Sequence, residues 1–242
     1  ERRHWKVLDF DKILFRASSV GYLMVEPKNK SETISETTKT HLIDVYVSKR
    51  YGRKSDISSK AIEKGLAMEE DSITLYSRLK GVFFRKNEQT FKNDFVQGTP
   101  DTIIDGVVID FKSSWDIFTF HRSKFGKLNQ QYYWQLQTYM ALTGCKSAKL
   151  VYCLTDTPDV MIEDEKRRLG WKMGLIDPTA NDDWNEASEQ LEKSMKYADI
   201  PITERIHEID VPANAIDIMS IYKRVFQCRE YMKEQFTPKI FA

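Results

Sequence analysis

Apolar and polar positions along the chain follow two periods, and the switches between them mark the elements. Residues 106–114 read Gly-Val-Val-Ile-Asp-Phe-Lys-Ser-Ser, a β-branched run between breakers that predicts a strand. Side chains alternate along a strand, so Asp110 and Lys112 share one face while Val107, Ile109 and Phe111 take the other, toward a core. Phe95 and Val96 end another apolar stretch upstream, and residues 149–155 predict a further strand downstream. The period becomes helical over residues 59–80, where Ile62, Gly65, Leu66, Ile73 and Tyr76 share an arc. A second helix is expected over residues 129–143, rich in aromatics and closed by Gly144 as a C-cap.

The flanks read as helix and loop. Residues 29–41 form a polar connector, and a helix over residues 40–51 stops at Gly52. Beyond Pro158 the pattern predicts helices near 159–173 and 181–197, an edge strand over 206–211 and a closing helix over 213–235. No internal repeat or low-complexity tract interrupts this order. The fold class is therefore α/β, with three consecutive strands entering a mixed central sheet flanked by helices. Additional helical segments are expected at both ends of a single domain, residues 1–242. Its core is expected at about 59–156, with extensions at 1–58 and 157–242.

Candidate chemistry gathers on the predicted strand. Asp101 ends the run Gly98-Thr99-Pro100-Asp101, with eight residues between it and Asp110, and a tight turn would set the two side by side. Paired carboxylates can hold a hard divalent cation such as Mg²⁺, and the Lys112 ammonium is close enough to steer a water or a developing negative charge. That combination suits metal-assisted cleavage of a phosphodiester; the alternative is a half-buried strand with solvated charges. Glu69 lies within the apolar arc of its helix, where a carboxylate calls for a metal or for a buried partner cation. Gln135 and Tyr139, four apart, share a face with Leu128, Tyr132 and Leu142. They either orient a water, a phosphate or a catalytic carboxylate, or satisfy one another. Pro158-Asp159 followed by Asp164-Glu165-Lys166 repeats the pattern by chance in a charged stretch without strand alternation, and reads as a solvated helix face.

A net charge of +1 on 242 residues does not announce a nucleic-acid binder, so such a protein would need a local basic groove. Lys86, Lys92, Arg122, Lys124 and Lys127 flank the candidate site, with Phe120, His121 and Phe125 interleaved. They form either a strand-binding segment or a solvated loop. Trp115, Phe118 and Phe120 read as packing or as a grip on bases, and Trp134 with Tyr132 and Tyr133 as helix packing on the sheet. Cys145, Cys153 and Cys228 have no zinc spacing and suit a reducing cytoplasm. His4, His41 and His207 lack companions at ligand spacing, and no stretch reaches membrane-spanning length.

Taken in order, Gly65-x-x-x-Glu69, Gly98-Thr99-Pro100-Asp101, Asp110-Phe111-Lys112 and Gln135-x-x-x-Tyr139 resemble the motifs of the PD-(D/E)XK nuclease superfamily. They are most similar to its RecB-like and lambda-exonuclease-like branch, the phage-type viral recombinases. The resemblance is strongest over residues 59–155. It implies a restriction-endonuclease-like core in which Glu69, Asp101, Asp110 and the Phe111 carbonyl ligate Mg²⁺ or Mn²⁺. Lys112 would orient or help deprotonate the attacking water, or stabilise charge at phosphorus, and Gln135 and Tyr139 would hold the site and the DNA end. The implied activity is resection of duplex DNA ends in recombination, with an endonuclease or a non-catalytic DNA-binding protein as alternatives. A single-strand annealing protein as partner and a homo-oligomeric ring are implied in the same way. The iron–sulfur members of that branch use four cysteines, which this chain cannot supply.

Overall fold

The computed structural model describes residues 8–53, 59–175, 177–178 and 181–237. Along the chain run β1 (Phe15–Arg16), α1 (Ala17–Leu23), α2 (Glu36–Tyr51), α3 (Lys60–Ala67), α4 (Glu69–Lys80), β2 (Phe91–Lys92) and β3 (Val96–Gly98). Then come β4 (Thr102–Ile104), β5 (Val107–Ser113), α5 (Ile117–Phe125), α6 (Gln130–Thr143) and β6 (Ser147–Cys153). The chain continues through α7 (Asp159–Lys172), α8 (Asp182–Met195), β7 (Ile206–Pro212) and α9 (Ala215–Phe236).

The central sheet has the order β4-β5-β6-β7, with β5 and β6 parallel and the outer strands antiparallel to them. A parallel pair needs a crossover, and α5 with α6 supplies it. Both faces of the sheet are covered. On one, Ile73, Tyr76 and Phe84 pack against Ile109, Phe111 and Val151. On the other, Leu136, Tyr139 and Met140 of α6 meet Val108, Leu150 and Tyr152. Each aliphatic side chain so buried contributes about 1.5–3 kcal/mol. A third cluster joins the two ends of the chain, where Phe15, Val20, Leu23 and Leu42 pack with Ile221, Val225 and Met232.

Four expectations need correction. The polar connector is shorter than residues 29–41, because Ser35 accepts a hydrogen bond from the Thr38 amide and starts α2 at Glu36. The expected single helix over residues 59–80 breaks at Met68 (φ −103°, ψ 11°) into α3 and α4. The break divides its apolar arc: Ile73 and Tyr76 are buried, whereas Ile62 is 51% and Leu66 71% exposed. A wheel assumes that one surface covers the whole stripe, and here α4 borders the sheet while α3 borders an open cleft. The strand before Asp101 does not enter the central sheet; β3 pairs with β1 and β2, since Pro100 lacks the amide needed to continue a ladder. Finally, Trp134 packs on the cluster joining the chain ends rather than on the sheet. His4 lies outside the described residues.

Candidate active site

The geometry begins with a turn. Asp105 and Gly106 both adopt positive φ (50° and 75°), the conformation of a two-residue type I′ hairpin whose twist matches its strands. This fixes β4 on β5 with Thr102 opposite Ile109, so the next position sets Asp101 against Asp110. β4 ends there, and Asp101 Oδ2 accepts a hydrogen bond from the Phe111 amide at 2.7 Å. Asp110 is only 1% exposed, which excludes the solvated-strand alternative. The face that Asp110 shares with Lys112 is roofed by α6, so it is interior.

α6 supplies the remaining contacts. Gln135 Nε2 donates to Asp110 Oδ1 at 3.1 Å and to the Tyr139 hydroxyl at 3.0 Å. The two side chains therefore satisfy one another, and Gln135 also holds the Asp110 carboxylate. Gly98 explains itself here, since a Cβ would fall 2.7 Å from the Tyr139 ring and 2.8 Å from the Ala17 methyl. The Lys112 ammonium lies 2.6 Å from Asp110 Oδ2 and pairs with it. It also sits 4.9 Å from the centre of the Tyr132 ring, a cleft residue that periodicity assigned to packing on the sheet.

The electrostatics are those of crowded acids. Burial, and then the Asp110 carboxylate, push Asp101 well above the ordinary carboxylate range, against the pull of Lys112 and the Phe111 amide. Burial opposes the charge on Lys112, but Asp110 and Asp101 outweigh it and hold the ammonium above its usual pKa. Tyr139 is raised by burial and by Asp110, so its hydroxyl stays protonated. One ammonium cannot neutralise two buried carboxylates. Hard oxygen donors and an acid strained by its neighbour fit a divalent cation.

Glu69 stands apart from this pair. It opens α4, lines the same cleft, and has its carboxylate 3.2 Å from Lys86 Nζ. Lys86 is held there by its neighbour: the Asn87 amide donates to the Asp101 carbonyl at 2.7 Å, and Asn87 Nδ2 donates to the Pro100 carbonyl at 2.9 Å. Among the described residues, no three His, Cys, Asp or Glu side chains converge as a metal site. Glu69 thus makes the ion pair that competed with the metal reading, although with an exposed lysine rather than a buried one.

The cleft encloses about 1220 Å³. Arg122 and Lys127 line it, Lys124 lies on the same helix as Arg122, and Lys92 is exposed on β2 outside the lining. Phe120 is fully buried, so base stacking is excluded for that ring. Sequence reasoning missed Lys64. This lysine is fully buried, donates to the Trp115 carbonyl at 3.0 Å and lies 5.5 Å from the Tyr197 ring centre. Burial pushes its pKa down to about 8, against Asp156 and Asp116. It lies opposite Ile62 on α3, away from the apolar arc read from the sequence, and that opposite face is the one the fold buries. Cys145, Cys153 and Cys228 are free thiols, and no described helix is long and apolar enough to cross a membrane.

No protein-family model matches the chain, and no curated protein sequence matches it. Solved structures do. A phage-related exonuclease from Haemophilus somnus 129PT superposes with a TM-score of 0.71 at 22% identity, covering 93% of this chain and 96% of its own. An alkaline exonuclease from Laribacter hongkongensis gives 0.61 at 15% identity over 92% and 93%. The same enzyme in complex with dAMP gives 0.56 at 17% identity over the same shares. The fold is restriction-endonuclease-like, and the structural likeness to these exonucleases covers 93% and 92% of the chain rather than the motif region alone.

Proposed function

We propose that the protein is a divalent-metal-dependent deoxyribonuclease that resects duplex DNA ends. The observation that carries this reading is the buried Asp101–Asp110 pair, interlocked with Lys112, Gln135 and Tyr139 at the floor of a cleft lined by Arg122 and Lys127. A binding protein gains nothing from acids that repel phosphates. The exonuclease names of the structural neighbours, and the dAMP bound by one of them, point the same way.

Asp101, Asp110 and the Phe111 carbonyl would hold Mg²⁺ or Mn²⁺, with Glu69 joining on release from Lys86. The ion, when bound, supplies Lewis acidity to the phosphate and a more acidic water. Lys112 is held charged by two carboxylates, so it serves as a hydrogen-bond donor to negative charge building on the phosphate rather than as a general base. Gln135 fixes the Asp110 carboxylate, and Tyr139 fixes Gln135. Arg122, Lys124, Lys127 and Lys92 serve the DNA backbone. The same reading carries with it an annealing protein as partner, self-assembly around DNA, and work in the cytoplasm of a bacterial host.

The test is digestion of linear duplex against covalently closed circular DNA in Mg²⁺, beside Lys112→Ala and an EDTA control. Loss of the linear form alone, abolished by both controls, is the expected outcome. Cutting of the circle makes the protein an endonuclease, and an intact pair of substrates sinks the catalytic reading.

A further inference from the structure

The cleft wall formed by α5 has a second face. Phe120 points inward and is fully buried, and Thr119, Arg122, Ser123 and Lys127 border the cleft. Phe118 and Phe125, two turns apart on the same helix, are instead 70% and 79% exposed. His121 lies between them and stacks on Phe125, with ring centres 5.8 Å apart and planes within 8°. Lys124 Nζ is 5.9 Å from the centre of that ring, and Arg122 donates to the Phe118 carbonyl. Phe118, His121 and Phe125 thus gather on one exposed helical stripe, and a contiguous patch of rings, unlike a single exposed residue, marks a contact surface.

Charge singles out the same segment. Acids make up 36 of 242 residues, yet none occurs between Asp116 and Asp156. The cations of α5 and the loop after it therefore have no acid beside them in sequence, and Arg122, Lys124 and Lys127 make no ion pair among the described residues. Lys86, by contrast, is paired with Glu69.

We propose that the outer face of α5 binds single-stranded DNA, with Phe118, His121 and Phe125 stacking on unpaired bases and Arg122, Lys124 and Lys127 following the backbone. Aromatic rings interleaved with cations match the chemistry of a single strand, whose bases offer free π-faces; duplex bases already use theirs on one another. The surface is continuous with the cleft through Arg122. It rests on the nuclease reading in one respect: digestion of one strand of a duplex leaves the other unpaired at the cleft mouth, next to this helix.

The experiment is fluorescence anisotropy with a labelled oligo(dT) in EDTA, so that nothing is cut, on the parent protein and on Phe118→Ala/Phe125→Ala. The expected result is affinity about fivefold weaker or more for each ring lost, with the salt dependence of binding unchanged. Phe118→Trp/Phe125→Trp should restore affinity, and Lys124→Ala should lower the salt slope by about one instead. Equal affinity in the alanine double variant overturns the inference. So does an oligomer that dissociates in sedimentation velocity while oligo(dT) binding persists, because the face is then a contact between copies. The nuclease reading fails separately: a parent that binds oligo(dT) through these rings but leaves linear duplex intact upholds the surface and sinks the enzyme.

Discussion

The two halves of the cleft floor are built differently. On the β5–α6 side, Asp110, Gln135 and Tyr139 are buried and joined by hydrogen bonds, with Gly98 packed under the Tyr139 ring. On the α3–α4 side, Glu69 is partly exposed and paired with a lysine of the loop between α4 and β2, while Ile62 and Leu66 face the open cleft. The first half is preorganised, because every alternative rotamer strands a polar group in the interior. The second is adjustable, because water can replace each of its contacts. Under the proposed function, the first half would serve as a fixed carboxylate frame and Glu69 as an acid free to move.

Substitutions should separate the halves. Asp110→Asn is expected to lower the rate of duplex digestion at least about a hundredfold. It should also bring the Asp101 pKa down toward its ordinary value, because a neutral amide removes the largest neighbouring charge that raises it. An Asp101 titration unchanged in Asp110→Asn, followed by NMR, would show that the two acids are not coupled. Gln135→Ala is expected to cost about tenfold to a hundredfold in activity by freeing the Asp110 carboxylate, and metal affinity measured by calorimetry should fall with it.

The buried pair also sets a pH dependence. The folded pKa of Asp101 lies above its ordinary value of 3.8, so the folded state keeps a proton that the unfolded chain gives up. Stability attributable to Asp101 is therefore complete below about that ordinary value and is lost as pH rises through the folded value. Thermal melts in EDTA should fall across that window. Mg²⁺ or Asp101→Asn should flatten the curve, and a slope that survives Asp101→Asn would assign it elsewhere.

The smallest effect belongs to the adjustable half. Lys86→Met removes the cation that competes for Glu69, so Mn²⁺ affinity in the absence of DNA should rise by about twofold to fivefold, the range of an exposed ion pair. Glu69→Gln should abolish that gain. No change in Mn²⁺ affinity with weaker DNA binding would return Lys86 to the role of a phosphate contact.

Much of this was legible in the residues. Period-two alternation set Asp110 and Lys112 on one face, the Asp105-Gly106 turn set the register, and Gly144 ended α6 where a left-handed residue was needed. These are local matters, decided by backbone sterics and by neighbours a few positions away. The errors arose where two surfaces compete for one helix. Glu69 and Ile62 share an apolar arc in the sequence, but a wheel does not say whether sheet, cleft or solvent lies beyond it. Lys64 inverts the same way, since its burial depends on the Trp115 carbonyl from a loop 51 residues away.

What the sequence by itself determined is therefore the set of chemical groups and their order: two acids and a lysine on adjoining strands, a glutamine and tyrosine one turn apart, and a stretch free of acids after Asp116. Which of those groups are buried was decided only by the tertiary structure. Placing α6 over β5 turns a strand's polar face into an interior, and desolvation then raises Asp101 and leaves Lys112 locked between two carboxylates. Burial is a property of what packs against a residue, and that partner is set by the path of the whole chain.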